Sequence, residues 1–323
     1  MCIRDSAVTL SNRQVLHYRA LVVAPGLELD WEGIEGLTGA LGQYGVTSNY
    51  RFDLAPYTWA LVQGLRRGRA LFTQPPMPIK CAGAPQKAMY LACDHWQRSG
   101  VLKDIDVHFH NAGGALFGVP AYIPALMDYV EHYRIGLEFH QQLVAVDGPR
   151  QQATFLISGA DGRQQERVAS FDMLHVVPPQ RAPALIRDSR LANGAGWLDL
   201  DPNTLQHRRY SAIFGAGDIS GNANAKTAAA ARAQAPVVAD NVIAHLRGHA
   251  LSRRYQGYGA CPLTVERGRV VLAEFGYGGE LQPTLPAWLN DGRRATSLAW
   301  QLKAYAMPAI YWQWMLKGRE WLV

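Results

Sequence analysis

Residues 69–118 read RALFTQPPMPIKCAGAPQKAMYLACDHWQRSGVLKDIDVHFHNAGGALFG. Residues 70–73 form an apolar run of strand length, and 75–80 a stiff proline-rich loop. Pro85 falls where a proline suits a helix, at its first position, and 86–99 continue the helical pattern. Residues 105–110 alternate as a second strand and run into the glycine turn 111–118. A helix over about 122–133 and a strand near 136–140 come next. Strand–helix–strand units in series predict a parallel sheet wound in the Rossmann manner. Residues 151–157 and 166–171 predict an inserted antiparallel pair.

Outward from this core, the chain opens as a hairpin. Residues 7–10 and 14–24 are two strand-like runs around the turn Ser11-Asn12-Arg13, and the second stops at Pro25-Gly26. Two strands have no core of their own, so residues 1–6 read as a non-native leader on a chain shortened at its N-terminus. Beyond the break Val176-Val177-Pro178-Pro179, residues 210–218 form a short strand ending in glycines and an acid. Residues 223–249 read as an alanine-rich helix interrupted by Pro236. Five of the nine tryptophans lie between Trp288 and Trp321, marking the last section as different in kind. The expected class is α/β with Rossmann-like winding.

The 323 residues allow about two domains. With 48% hydrophobic and only 18% charged residues, intrinsic disorder is excluded. A net charge of +6 without basic runs argues against nucleic acid as a partner. Cys2, Cys81, Cys93 and Cys261 contain no CxxC spacing, which argues against zinc. The opening residues lack the apolar core of a signal peptide.

The chemistry-bearing features are few. In Gly215-Ala-Gly217-Asp218 two glycines permit close backbone approach, and the acid can accept hydrogen bonds from sugar-like hydroxyls. The helix expected next opens with Asn224-Ala-Lys226-Thr227, and its N-terminus favours partial negative charge, as on the pyrimidine edge of a reduced flavin. Cys81 precedes a helix start between Lys80 and Lys87, where thiol pKa values fall. Cys261 lies beside small residues and Pro262, and spacing alone does not bring it to Cys81. Cys93 reads as core. Gly113 and Gly118 keep a turn, but Ala115 stands where a dinucleotide fingerprint needs glycine. Residues 297–323 mix Trp and Tyr with Lys303, Lys317 and Arg319, which suits a membrane interface or, equally, a dimer face. His175 and His207 read as structural.

Together, residues 24–26, 80–87, 173–179, 204–210, 215–218, 226–230 and 260–263 closely resemble the sulfide:quinone oxidoreductase family, with the mitochondrial branch and its bacterial relatives nearest. The resemblance runs from about Ala7 to the end. It implies a two-dinucleotide-domain flavoprotein that binds FAD, oxidises sulfide and passes electrons to ubiquinone or another membrane quinone. The fold it implies is α/β with two Rossmann-like domains of the FAD/NAD-linked reductase type, the first incomplete, plus a C-terminal amphipathic membrane-associating segment. The implied divisions are a leader (1–6), a remnant of the FAD-binding domain (7–47) and a second, NAD-type domain (48–178). A return to the FAD-binding domain (179–250) and a C-terminal redox and membrane segment (251–323) follow. It implies Cys81 and Cys261 as the redox pair, joined directly or through a bridging sulfur, with Lys87 and Lys303 as nearby basic groups. Pro25, Gly26, Gly215, Gly217, Asp218, Lys226 and Thr227 would line the FAD site, while the family's N-terminal G-x-G-x-x-G is absent from this sequence. Sulfide, sulfite or glutathione would take the sulfur, and the protein would sit on the surface of a bacterial or mitochondrial inner membrane, with oligomerisation open. A type II NADH:quinone dehydrogenase or a non-catalytic docking chain would share the architecture.

Overall fold

The computed structural model describes residues 2–4, 6–159, 161–222 and 225–319. Its centre is a five-stranded, all-parallel sheet in the order Val46–Thr47, Met173–His175, Gly68–Gln74, Ile105–Asn111, Gly136–Phe139. Val46–Thr47 thus joins the same sheet as Met173–His175. The helix Ala84–Arg98 crosses between two of these strands. Its buried positions Met89, Tyr90, Cys93 and Trp96 recur at three- and four-residue spacing, which sets one apolar face against the core. Trp96 is fully buried and donates its indole N–H to the Val62 carbonyl at 2.8 Å, so its one polar atom is satisfied.

The expected antiparallel insertion is present and has three strands, Gln141–Asp147, Gln152–Ser158 and Gln164–Ser170. A second antiparallel unit, Gly259–Glu266 with Arg269–Phe275, packs Leu263, Val265, Val271 and Ala273 into the same core as the Ala84–Arg98 helix. That shared core positions the site, because it brings a strand carrying Cys261 against the helix that follows Cys81.

Two readings of the sequence need correction. The opening hairpin exists, Ala7–Thr9 against Val15–His17, but the second run does not continue to residue 24. The chain bends at 19–20, and Leu21–Val23 pairs in parallel with Ile213–Gly215. This pairing buries Val23 with Leu198 and Ile213, which a solvent-facing hairpin arm cannot do. Cys2–Arg4, within the expected leader, pairs with Ala7–Thr9, while Met1 and Asp5 lie outside the described residues. The alanine-rich helix begins at Ala228, not at 223, and runs unbroken through Pro236 to Leu246. Thr227 is its cap: the side-chain oxygen accepts the Ala230 N–H at 3.1 Å. Ala223 and Asn224, where the helix was expected to open, lie outside the described residues, as do Ala160 and the final residues 320–323.

Candidate active site

Cys81 sits in the turn between the strand Gly68–Gln74 and the helix Ala84–Arg98. It adopts a left-handed conformation, φ +50°, which is unfavourable for a side chain of this kind. Cys261 occupies the strand that packs on that helix and is 2% exposed. The two sulfurs are 3.9 Å apart. A direct disulfide is about 2.05 Å, and two such bonds meeting at a bent sulfur span about 3.3 Å. The two thiols are therefore in unbonded contact, and a shift of about 0.6 Å would bring them to the span of one bridging sulfur.

Gly83 makes this approach possible. A Cβ on that residue would lie 2.5 Å from the Cys261 sulfur and 2.8 Å from a Leu263 methyl. The sulfur consequently rests against bare backbone at the start of a fifteen-residue helix, where peptide dipoles favour negative charge. The Lys87 ammonium, folded back from the first helical turn, donates to the Cys81 sulfur at 3.3 Å.

The thiols divide their one shared acidity unequally. Cys81 is lowered to about 5, first by the hydrogen bond from the Cys261 S–H, against burial, then by the charges of Lys87 and Lys303. Cys261 is raised well above the ordinary value by the same bond and by burial. The opposed shifts favour negative charge on Cys81, beside Lys87, over Cys261. Lys87 is raised despite its burial, because both sulfurs stabilise its charge. Lys303 is lowered to about 8 by burial and by repulsion from Lys87. It reaches the site from the π-helical turn Leu302–Ala306, a rare geometry often found at functional sites. Its amine donates to the Pro262 carbonyl at 3.2 Å and to the Thr264 hydroxyl.

The residues expected around a cofactor are divided in their surroundings. Gly26 (φ +75°) and Gly217 (φ +80°) have nothing within 4 Å of where a Cβ would stand, so both present open backbone. Pro25 immediately precedes the first of these glycines. Gly215 is internal: Leu198 and Leu200 occupy the space a side chain would need. The Asp218 carboxyl is raised by burial, against the attraction of Lys226 and Lys80. Lys226 is turned inward. Its amine donates to the carbonyls of Asp218 and Ser220, both at 2.7 Å, and lies 3.7 Å over the Trp197 ring. The Lys226 carbonyl accepts the Cys81 N–H at 2.8 Å, which fastens the glycine–aspartate turn to the cysteine turn. Among the described residues, the donors Gln180 Nε2 and Gln234 Nε2 are buried without a hydrogen-bond partner, and Gln234 Oε1 accepts the Gly217 N–H at 2.6 Å. Open glycine backbone, an acid and unpaired amide donors suit a flat, polar-edged ring bearing hydroxylated and anionic groups, so the residues present fit a flavin.

Cys93 is fully buried and burial raises its thiol, as a core residue requires. His175 accepts the Asn49 N–H through Nε2, with its Nδ1 buried and unpartnered among the described residues, and His207 donates to the Leu191 carbonyl while accepting from the Arg209 and Tyr210 N–H groups. In the turn after Ile105–Asn111, the Asn111 carboxamide accepts from Gly113 N and donates to the Ala115 carbonyl, so the side chain fills the turn. Sequence reasoning missed Tyr50, Gln180, Gly83 and Thr264. Gly83, within Cys-Ala-Gly-Ala-Pro, carried a local signal, whereas Tyr50 comes from the turn after Val46–Thr47, Gln180 from the strand Gln180–Arg181 and Thr264 from the strand that carries Cys261.

In the C-terminal section Trp288, Tyr305, Trp312 and Leu316 are more than half exposed, and the same stretch of sequence carries Arg293, Arg294 and Lys317. Among the described residues, no helix is long and apolar enough to cross a membrane.

No family model matches the chain. It is 35% identical to the mitochondrial sulfide:quinone oxidoreductase of Mus musculus over 97% of its own length and 69% of that protein. With the protein of the same name from Dictyostelium discoideum it shares 36% identity over 98% of this chain and 68% of the other. The solved structure of the sulfide:quinone oxidoreductase from Aquifex aeolicus superposes with a TM-score of 0.75, covering 97% of this chain and 73% of that one, at 16% identity.

Proposed function

The chain belongs to the sulfide:quinone oxidoreductases, and from that premise we propose that it oxidises sulfide at the Cys81–Cys261 pair and delivers the electrons, through FAD, to a membrane quinone. The observation that carries this reading is the pair itself: 180 residues apart in sequence, the sulfurs stand 3.9 Å from each other beside Lys87 and within the field of Lys303.

In the oxidised pair, bridged by one sulfur, hydrosulfide attacks the Cys261 sulfur. One S–S bond forms and the bond from Cys261 to the bridging sulfur breaks, which leaves a persulfide on Cys261 and a persulfide anion, holding the former bridge, on Cys81. Cys81 suits the leaving position, because the surroundings stabilise negative charge there and Lys87 lies beside it. A nucleophile such as sulfide, sulfite or glutathione removes the outer sulfur of Cys261, which returns to a thiol. Joining that thiol to the Cys81 persulfide restores the bridge and releases two electrons, for which FAD, when bound, would supply the acceptor and the link to quinone. Pro25, Gly26, Gly217 and Asp218 would hold it, whereas Lys226 and Thr227 would act through backbone, since their side chains are already engaged. Lys303, lowered to about 8, can exchange a proton near neutrality and draws anionic acceptors toward Cys261. The exposed aromatic C-terminal surface supports seating on a membrane, where quinone is dissolved.

Cys81→Ser and Cys261→Ser in the FAD-loaded enzyme are expected to abolish sulfide-dependent reduction of a soluble ubiquinone analogue. Retention of that activity by both variants rejects the pair.

A further inference from the structure

The peptide joining Lys80 to Cys81 is held at both ends by groups from elsewhere in the fold. Its carbonyl accepts the Tyr50 hydroxyl at 3.0 Å, and its N–H is given to the Lys226 carbonyl at 2.8 Å. The preceding peptide is fixed as well, since the Lys80 N–H donates to Gln180 Oε1 at 2.7 Å. The Cys81 carbonyl in turn accepts the Ala84 N–H at 2.7 Å. Rotating the Lys80–Cys81 peptide is the motion that would relax Cys81 from φ +50° to an ordinary conformation, and it would carry the sulfur to a new direction. That rotation breaks the Tyr50 and Lys226 bonds together.

We propose that Tyr50 and Gln180 are positioning residues, which clamp Lys80 so that Cys81 stays left-handed with its sulfur facing Cys261 and Lys87. The inference rests on the proposed sulfur pair but concerns a different link, the backbone that aims one member of it. Neither residue is used in the sulfur chemistry described above. Tyr50 has a second tie to the turn, the Lys80 ammonium 5.8 Å from its ring centre. Burial and the neighbouring sulfur charges raise its phenol, so it remains a hydrogen-bond donor wherever the thiolate exists.

The test measures alkylation of Cys81 by iodoacetamide between pH 5 and 9, followed by mass spectrometry of the Cys81 peptide, in the wild-type chain, Tyr50→Phe and Gln180→Leu. Released from the clamp, Cys81 loses its Cys261 donor and Lys87 partner, and its acidity drifts toward that of a free thiol, about 8.5. Thiolate at pH 6 then falls, and with it the alkylation rate, by at least about tenfold. Cys93 reports integrity in the same sample, because it reacts only when the core opens. A wild-type pH profile in the variants, with Cys93 protected, overturns the proposal. Should Tyr50→Phe expose Cys93, Gln180→Leu decides alone, by the same criterion. Failure of the sulfur-pair reading appears elsewhere, as retained quinone reduction in Cys81→Ser and Cys261→Ser. The two failures are therefore distinguishable.

Discussion

Gly83→Ala should separate the two sulfurs without touching either cysteine. The new methyl would stand 2.5 Å from the Cys261 sulfur and 2.8 Å from Leu263. Ordinary contact between such atoms is about 3.5–4.0 Å, so the sulfur must retreat by about 1 Å. From 3.9 Å the pair would then open to roughly 5 Å, beyond the reach of a bridging sulfur and of the S–H donor that lowers Cys81. A hydrogen bond to a charged group contributes about 1.5–3 kcal/mol, or about one to two pKa units. The wild-type thiolate, formed near pH 5, should alkylate at a nearly constant rate above pH 6. In the variant the rate at pH 6 should fall by about two- to fifteenfold and recover by pH 8.5, with sulfide oxidation lost across the range. Overpacking should also lower stability by about 1–3 kcal/mol. Stopped-flow alkylation and a urea melt provide both quantities. An unaltered Cys81 profile in a folded Gly83→Ala protein would falsify the claim that the bare backbone at Gly83 sets the sulfur separation.

Lys87→Met removes the ammonium 3.3 Å from the Cys81 sulfur and should shift the alkylation midpoint upward by about one unit, whereas Lys87→Arg should restore most of it. An unshifted midpoint in Lys87→Met means the charge does not act on the thiolate. His175 and His110 are buried and both lowered to about 4, with burial the main cause. The unfolded chain takes up these protons near pH 6.5, so folding stability should fall as pH drops from about 6.5 to 4, by about 1.4 kcal/mol per pH unit for each histidine. Chemical melts of wild type and His175→Gln check this: the variant should show a shallower acid slope, and parallel slopes exclude His175 as a contributor. Trp312→Asp together with Tyr305→Asp should reduce sedimentation with phosphatidylcholine–phosphatidylglycerol vesicles by at least about tenfold, since each ring contributes about 1.5 kcal/mol or more on leaving water. Undiminished sedimentation would remove this surface from the membrane contact.

The parallel sheet was legible because its signals are local. Residues 70–73 and 105–110 carry apolar patterns that continue into Gly68–Gln74 and Ile105–Asn111, and Pro85 announces the intervening helix at its second residue. The fate of Leu21–Val23 was not, because an apolar tripeptide fits a hairpin arm or a parallel strand equally well. Only its distant partner Ile213–Gly215 decides between them. The alanine-rich helix shows the same limit at finer scale: Thr227 is a good cap by residue type, but a run of alanines around it leaves the starting point unmarked.

The site divides along the same line. Cys81, Gly83, Pro85 and Lys87 lie in one short stretch, and helix-start chemistry makes a low thiol pKa readable from the string alone. What completes the chemistry is non-local. Cys261 meets Cys81 because Leu263 and Val265, alternating on its strand, share a core with Met89, Cys93 and Trp96 on the helix behind the cysteine turn. Tyr50, Gln180 and Lys226 converge on two adjacent peptides from three separated segments, and each uses a group that is unremarkable in sequence: a phenol, an amide and a backbone carbonyl. The reactive atoms are thus encoded by residue type, while their alignment is encoded by packing. Accordingly, substitutions that change volume behind the turn should disturb sulfur chemistry as severely as those that remove a charge beside it.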